Sequence, residues 1–231
     1  MDPLVANVIH DAKNLLAVLV GQLAEIGHEY QRKTGEKGLP ALLQAERLVE
    51  RLNTGLVELL VLYRAGEGSL RLVIDDHELT DFLDEVMTGY AAEGDGPVFL
   101  ETDFSGAAEI GQWAFDAYQL RFVLADALRN ARRHARSRVR FSLGRDPAGG
   151  IRFTVEDDGP GFGAGDGVPG GEEGVYPAAV TVMNASGSGL GLRFARLVAS
   201  HHATPGGHCG RVEMVNDGLG VGGARFSLIL P

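Results

Sequence analysis

A chain of 231 residues suffices for one large domain or two small ones and can bury a substantial core. Its formal charge of −10 argues against a nucleic-acid partner, which would favour a basic face, and no apolar run nears the roughly 18 residues of a membrane span. The Met1–Leu4 start carries no basic secretory region, and the single cysteine, Cys209, rules out an internal disulfide and suits a reducing, cytoplasmic setting.

Asp2 followed by Pro3 is a helix start, a capping carboxylate and then a proline whose missing N–H costs nothing. Leu4, Val5, Val8, Leu15, Leu19, Leu23 and Ile26 then recur at helical spacing to about Tyr30. Thr34–Gly38 breaks the pattern, and Pro40 opens a second helix carrying Leu42, Leu43, Leu48, Val49, Leu52, Leu56, Leu59 and Leu60 to near Arg64. Two helices joined by a short loop form an antiparallel hairpin. A second apolar stripe, Val8, Leu16 and Leu19 against Val49 and Leu56, is too wide for the hairpin to cover, so a homodimeric four-helix bundle is expected. These helices make a first domain over residues 1–66, and Gly66–Ser69 reads as a linker.

From residue 70 to residue 231 the pattern is α+β. It predicts an extended Leu70–Ile74, a helix near Thr80–Tyr90, a strand near Val98–Thr102 and a strong helix over Ala117–Ala135. Val139, Phe141 and Leu143 alternate with polar residues, as do Ile151, Phe153 and Val155, and Asp146–Gly149 between them closes a hairpin. Leu192–His201 reads as a helix, and Arg211–Val215 and Ala224–Leu230 as closing strands.

The chemistry gathers on three of these elements. On the Ala117–Ala135 helix, Asp126, Asn130, Arg133 and His134 make one polar stripe beside the apolar face of Leu120, Val123, Leu124, Ala127, Leu128 and Ala131. An asparagine oxygen there can take Mg²⁺, and an arginine can meet phosphate charge; the plain alternative is a solvated helix face. Asp157 ends a strand and is followed by Gly159 and Gly161, which let the backbone turn tightly toward a ligand. A carboxylate there can accept from an exocyclic amine, or can simply close an Asx turn. Gly187, Gly189 and Gly191 surround Ser188 and Leu190 just before a helix, whose free N–H groups and dipole favour phosphate.

Together, Asp116–Ala135, Asp157–Phe162, Gly187–Leu192 and Gly222–Phe226 resemble the catalytic domain of two-component sensor histidine kinases. That domain shares the Bergerat (GHKL) ATP-binding α/β sandwich with DNA gyrase B, MutL and the heat-shock chaperone ATPases. The resemblance covers about Leu70 to Pro231. It implies that Asn130 holds Mg²⁺, that Asp157 binds the adenine amine, and that Gly159, Gly161, Gly187, Gly189 and Gly191 shape the lid and the phosphate turn around Leu190. The phenylalanine-containing box usual between the glycine boxes is not recognisable in Gly163–Ser186. Asp126 stands where many of these kinases have asparagine.

His10-Asp11-Ala12-Lys13-Asn14 resembles the phosphoacceptor box of the same family, with Leu15 replacing its usual proline. Neutral imidazole is a nucleophile for a γ-phosphoryl group, Asp11 can accept the other ring proton, and Asn14 lies one turn on, where it can orient a water. His28-Glu29 is a rival that lacks the downstream Lys-Asn. His201, His202, His208 and Cys209 match no closed zinc spacing. The expectation is a homodimeric histidine kinase that uses ATP and Mg²⁺ to phosphorylate His10 and passes the group to an aspartate on a response regulator receiver domain. Nine residues precede His10, so input is expected from a separate sensor protein or from a longer native chain. The alternatives are a histidine phosphotransfer adaptor that uses no ATP, and a GHKL ATPase in which Asp126 activates water.

Overall fold

The structure, a computed structural model, describes residues 3–34, 40–92, 98–162 and 190–231. The chain divides into two compact units, Met1–Leu70 and Arg71–Pro231.

The first unit is a pair of helices, α1 (Pro3–Thr34) and α2 (Pro40–Gly66). Val49, Val57, Leu60 and Val61 are buried between them, and Val18, Leu19, Ile26, Leu48, Leu52 and Leu59 are exposed. Val49, expected on the uncovered stripe, is thus buried inside the hairpin, while Leu48 and Leu52 on the neighbouring face stay open. The helix period explains the difference: a shift of one residue rotates a side chain by about 100°. Helix α2 ends at a glycine turn in which the Ser69 amide and hydroxyl both donate to the Arg64 carbonyl.

The second unit is a two-layer sandwich. Its elements are β1 (Asp75–Glu78), α3 (Leu79–Ala92), β2 (Phe99–Asp103), α4 (Ser105–Ile110), β3 (Gln112–Phe115), α5 (Ala117–His134), β4 (Arg138–Arg145), β5 (Ile151–Asp157), α6 (Leu190–His201), β6 (Arg211–Val215) and β7 (Arg225–Leu230). The main sheet has the order β2-β4-β5-β7-β6, with β2 and β4 parallel and the other pairs antiparallel. Strands β1 and β3 form a separate antiparallel ribbon. Leu70–Ile74, expected to be extended, joins no strand; the ladder begins at Asp75, where β3 supplies the partner that Leu70–Ile74 lacks.

Strict alternation along β4 and β5 builds the core. Val139, Phe141 and Leu143, with Ile151, Phe153 and Val155, face the helices and meet the buried Leu120, Val123, Leu124 and Leu128 of α5. Phe82, Phe115 and Phe153 stack edge-to-face beside them. The opposite face of the sheet carries a charged row in which Arg140 joins Glu101 and Glu156, and Arg225 joins Glu156 and Asp217. A solvated face on one side and a helix layer on the other is the arrangement the alternating pattern requires. Asp157 continues the core-facing row of β5, so the strand period itself turns its carboxylate under the helices.

Candidate nucleotide site

Helix α5 is the spine of the site. Asp116 caps it, its Oδ1 accepting from the Gln119 amide at 2.9 Å. Nearly three turns further on lies Asp126, whose Oδ2 accepts from Asn130 Nδ2 at 3.1 Å. That bond directs the other atom of the amide, Oδ1, away from Asp126, and Asn130 is exposed. A neutral oxygen held outward by a carboxylate partner suits a hard cation, so the residues present fit Mg²⁺. Arg129 approaches the same carboxylate at 3.6 Å. Burial raises the pKa of Asp126, and Arg129 and Asn130 only partly offset it.

The N-terminus of α6 comes down on this pair. A Cβ at Gly191 would run into the Asp126 carboxylate, so any larger residue there has to displace that side chain. Phe194, Ala195, Val198 and Ala199 are buried and seat α6 on the sheet in that position.

The turn after β5 meets α5 at its other end. Gly159 lies so close to the His134 carbonyl that a Cβ would approach it to 2.4 Å. Asp157 is buried, and its Oδ1 accepts from the Gly159 amide at 2.8 Å and from the Ala224 amide at 3.4 Å. Its Oδ2 has no hydrogen-bond partner among the described residues. Burial raises the pKa of this carboxyl, against the opposing effect of the Gly159 and Ala224 amides and the His134 ring. An inward carboxylate with one oxygen to spare can accept a hydrogen bond from a buried amine. Past Gly161, Asn216 holds the chain by both backbone groups of Phe162: its Oδ1 accepts the amide at 2.7 Å and its Nδ2 donates to the carbonyl at 3.1 Å.

The adjacent Asp158 is of another kind. It accepts from the amides of Arg136, Ser137 and Arg138 and from the Ser137 hydroxyl, tying the α5–β4 loop to the end of β5. Burial alone would raise its pKa, and these donors outweigh that and hold it far below the usual carboxylate range.

Of the sequence-derived candidates, Asp126, Asn130, Asp157, Gly159 and Gly191 are therefore brought to one side of the unit along α5. Arg133 and His134 stand exposed on its last turn, with the His134 ring near enough to act on Asp157, and Leu190 opens α6. Gly187 and Gly189 lie outside the described residues, as do the side chains of His10, Asp11 and Asn14, whose backbone belongs to α1. Asn216 and Ala224 were missed as contributors. The glycines at 218, 220, 222 and 223 signal a turn beside β7, but nothing local says that the turn wraps Asp157.

Residues 115–231 match the family described as histidine kinase-, DNA gyrase B-, and HSP90-like ATPase. Over 236 residues the chain is 31% identical to the signal transduction histidine-protein kinase AfsQ2 of Streptomyces coelicolor, covering 98% of this chain and 41% of that protein. The chain thus spans about two fifths of this relative's length. Among solved structures, the histidine kinase AdeS of Acinetobacter baumannii superposes with a TM-score of 0.58 at 16% identity, covering 93% of this chain and 94% of that one. Full-length ShkA in complex with AMPPNP superposes with a TM-score of 0.54 at 20% identity, covering 91% of this chain and 45% of ShkA. At these identities the superpositions speak to the fold.

Proposed function

This chain belongs to the histidine kinase-, DNA gyrase B-, and HSP90-like ATPase family, and we propose that it is the catalytic core of a histidine protein kinase of two-component signalling. Residues 70–231 bind ATP with Mg²⁺, and residues 1–66 dimerise and carry the phosphoacceptor, His10. The observation that carries the nucleotide reading is that α5 is met at Asp126 by Gly191 and at His134 by Gly159, with Asn130 between the two contacts. Asn130 Oδ1 takes the metal, Asp157 Oδ2 accepts from the adenine amine, and Gly187, Gly189 and Gly191 with Leu190 and the α6 N-terminus receive phosphate, Arg133 and His134 adding donors. The metal, when bound, neutralises phosphate charge and fixes the polyphosphate.

In the transfer itself, a neutral ring nitrogen of His10 forms a bond to the γ-phosphorus while the bond from that phosphorus to the bridging oxygen breaks and ADP leaves. Asp11 takes up the proton from the other ring nitrogen. Asn14, one turn along α1, places the water that later attacks the phosphorus, breaking the bond to the ring nitrogen and releasing inorganic phosphate. The phosphoryl group then passes to an aspartate of a receiver domain. The exposed Leu19, Leu48, Leu52 and Leu59 supply the apolar face of a homodimeric four-helix bundle, with input from a separate sensor or a longer native chain. Among the described residues no helix is long and apolar enough to cross a membrane, and we place the core in the cytoplasm, where ATP and receiver domains are found.

The test is labelling with γ-labelled ATP. The adduct is expected on His10, acid-labile and base-stable, lost in His10→Gln with ATP affinity unchanged, and retained in His28→Gln. Label that arrives only from a phosphorylated receiver domain would instead select the phosphotransfer adaptor. A second reading has one observation in its favour: Asp126 is half-buried with a raised pKa beside the α6 N-terminus, as a water-activating acid would be. Steady ATP turnover without label, abolished by Asp126→Asn, would select that ATPase.

A further inference from the structure

Helices α5 and α6 run antiparallel and are pinned at two places. One pin is the Asp126–Gly191 contact at the nucleotide site. The other lies at the far ends of both helices and involves a buried histidine that the proposed chemistry does not use. His202, immediately after α6, accepts through Nε2 from the Asp116 amide at 3.0 Å, while its Nδ1 lies 2.7 Å from the Val198 carbonyl. A carbonyl can only accept and an amide N–H can only donate, so the ring is neutral and carries its proton on Nδ1. The pins are about 15 Å apart on α5 and about 16 Å apart on α6, from a rise of about 1.5 Å per residue. Matched spacing lets both close without bending either helix.

The cap that His202 completes is unusual in one respect. Asp116 with Gln119 three residues on is the pattern of a capping box, in which the Gln119 side chain would return to the Asp116 amide. Here the return bond comes from the ring of His202, and Gln119 Oε1 is buried without a partner. The second oxygen of Asp116 holds the Val73 amide at 2.9 Å, so the same junction fastens the segment where the chain enters this unit.

We propose that His202 is a positioning residue for the nucleotide site: by joining the cap of α5 to the end of α6, its neutral ring sets the placement of Asn130 relative to Gly191. This rests on the nucleotide reading above. Burial lowers the pKa of the ring, which keeps it neutral at ordinary pH. The titratable groups that act on it are Asp116 on the α5 cap, which favours protonation, and His201 on α6, which opposes it. A protonated ring would set an N–H against the Asp116 N–H, and Gln119 Oε1 is the acceptor in place to take that amide over. The pin then opens, and nucleotide affinity falls.

The experiment measures Mg·ATP affinity by calorimetry from pH 5 to pH 8 for the wild-type chain, His202→Gln and His202→Leu. Nucleotide titration and His134 are common to all three and cancel in ratios. His202→Gln keeps an acceptor for Asp116, so at pH 8 its affinity should lie within about twofold of wild type, while the loss of an acceptor for a buried amide in His202→Leu should weaken binding about five- to tenfold. Below the ordinary histidine range, near pH 6.5, the wild type should weaken relative to His202→Gln. Wild-type affinity in a folded His202→Leu, or a wild-type to His202→Gln ratio that does not change with pH, would overturn the proposal. If His202→Leu does not fold, the pH-dependent ratio alone decides. No nucleotide binding by any of the three would strike the proposed function and this role with it, whereas equal binding by all three would strike only the role of His202.

Discussion

Two buried aspartates flank strand β5, Asp146 in the hairpin turn that leads into it and Asp157 at its last residue, and they do opposite things. At the hairpin end, Asp146 is buried and saturated: Arg152 reaches its Oδ2 through Nε at 2.9 Å and again through Nη2, Arg211 reaches it at 3.2 Å, and the Ala148 amide closes an Asx turn at 3.0 Å. Glu213 completes the cluster by pairing with both arginines. Burial would raise the pKa of Asp146, but the Arg152 and Ala148 bonds outweigh it and the net shift is downward. At the other end, Asp157 is equally buried, receives only two amides on one oxygen, and has its pKa raised. Complete pairing marks a carboxylate that holds the fold together. Incomplete pairing leaves the second oxygen of Asp157, which is not sealed from solvent, open to a further donor.

The sharpest way to break this comparison is to delete the saturated end. Asp146→Ala leaves Arg152 and Arg211 paired only with Glu213 and opens the Asx turn, and should cost about 1.5–3 kcal/mol of unfolding free energy, with ATP affinity unchanged. Denaturant titration and nucleotide calorimetry on the same protein check both halves; weakened ATP binding in a fully folded variant would contradict the division of labour. Asp157→Asn is the converse. It should weaken ATP binding about tenfold or more, a hydrogen bond to a charged group contributing about 1.5–3 kcal/mol, while unfolding free energy holds or rises. Gly191→Ala should cost about 1–3 kcal/mol by driving a methyl into Asp126, with weaker Mg·ATP binding because Asn130 loses its partner's position.

The smallest effect is in pH, and its sign separates the two kinds of carboxylate. Asp146 and Asp158 have folded pKa values below the unfolded value of 3.8, so their contribution is present above that pH and is lost as pH falls through the folded values. Asp157 is raised, so its ionisation subtracts stability as pH rises past 3.8. Asp157→Asn should therefore gain on wild type at neutral pH and lose that gain below about pH 4 in thermal melts, near the unfolded carboxyl pKa. Asp158→Asn should lose stability at neutral pH and approach wild type in acid.

Much of the fold was legible because its signals are local. Alternation marked β4 and β5, and the helical period marked α5 and its buried face, because burial on one side repeats with the geometry of each element. The six-residue α4 and four-residue β3 passed unnoticed, since they show less than two helical turns and only two strand repeats. Leu70–Ile74 was misassigned because strand-like composition says nothing about whether a ladder partner is present.

Asn130, Asp157 and Gly191 could be named as candidate site residues from motif and spacing, and β periodicity alone turned Asp157 inward. Their partners could not be named in this way. Asp126 against Gly191, Gly159 against the His134 carbonyl, Asn216 around Phe162 and His202 on the α5 cap each join residues tens of positions apart. Asp146 and Asp157 read alike as aspartates before glycine turns, and only the tertiary structure supplied two arginines to one and left an oxygen of the other unmatched. For α5, β4 and β5, sequence by itself determined which side faces inward, because that depends on the repeat of a single helix or strand. Which polar atoms are satisfied depends on the whole packing, and that decided which of the two aspartates keeps an oxygen open.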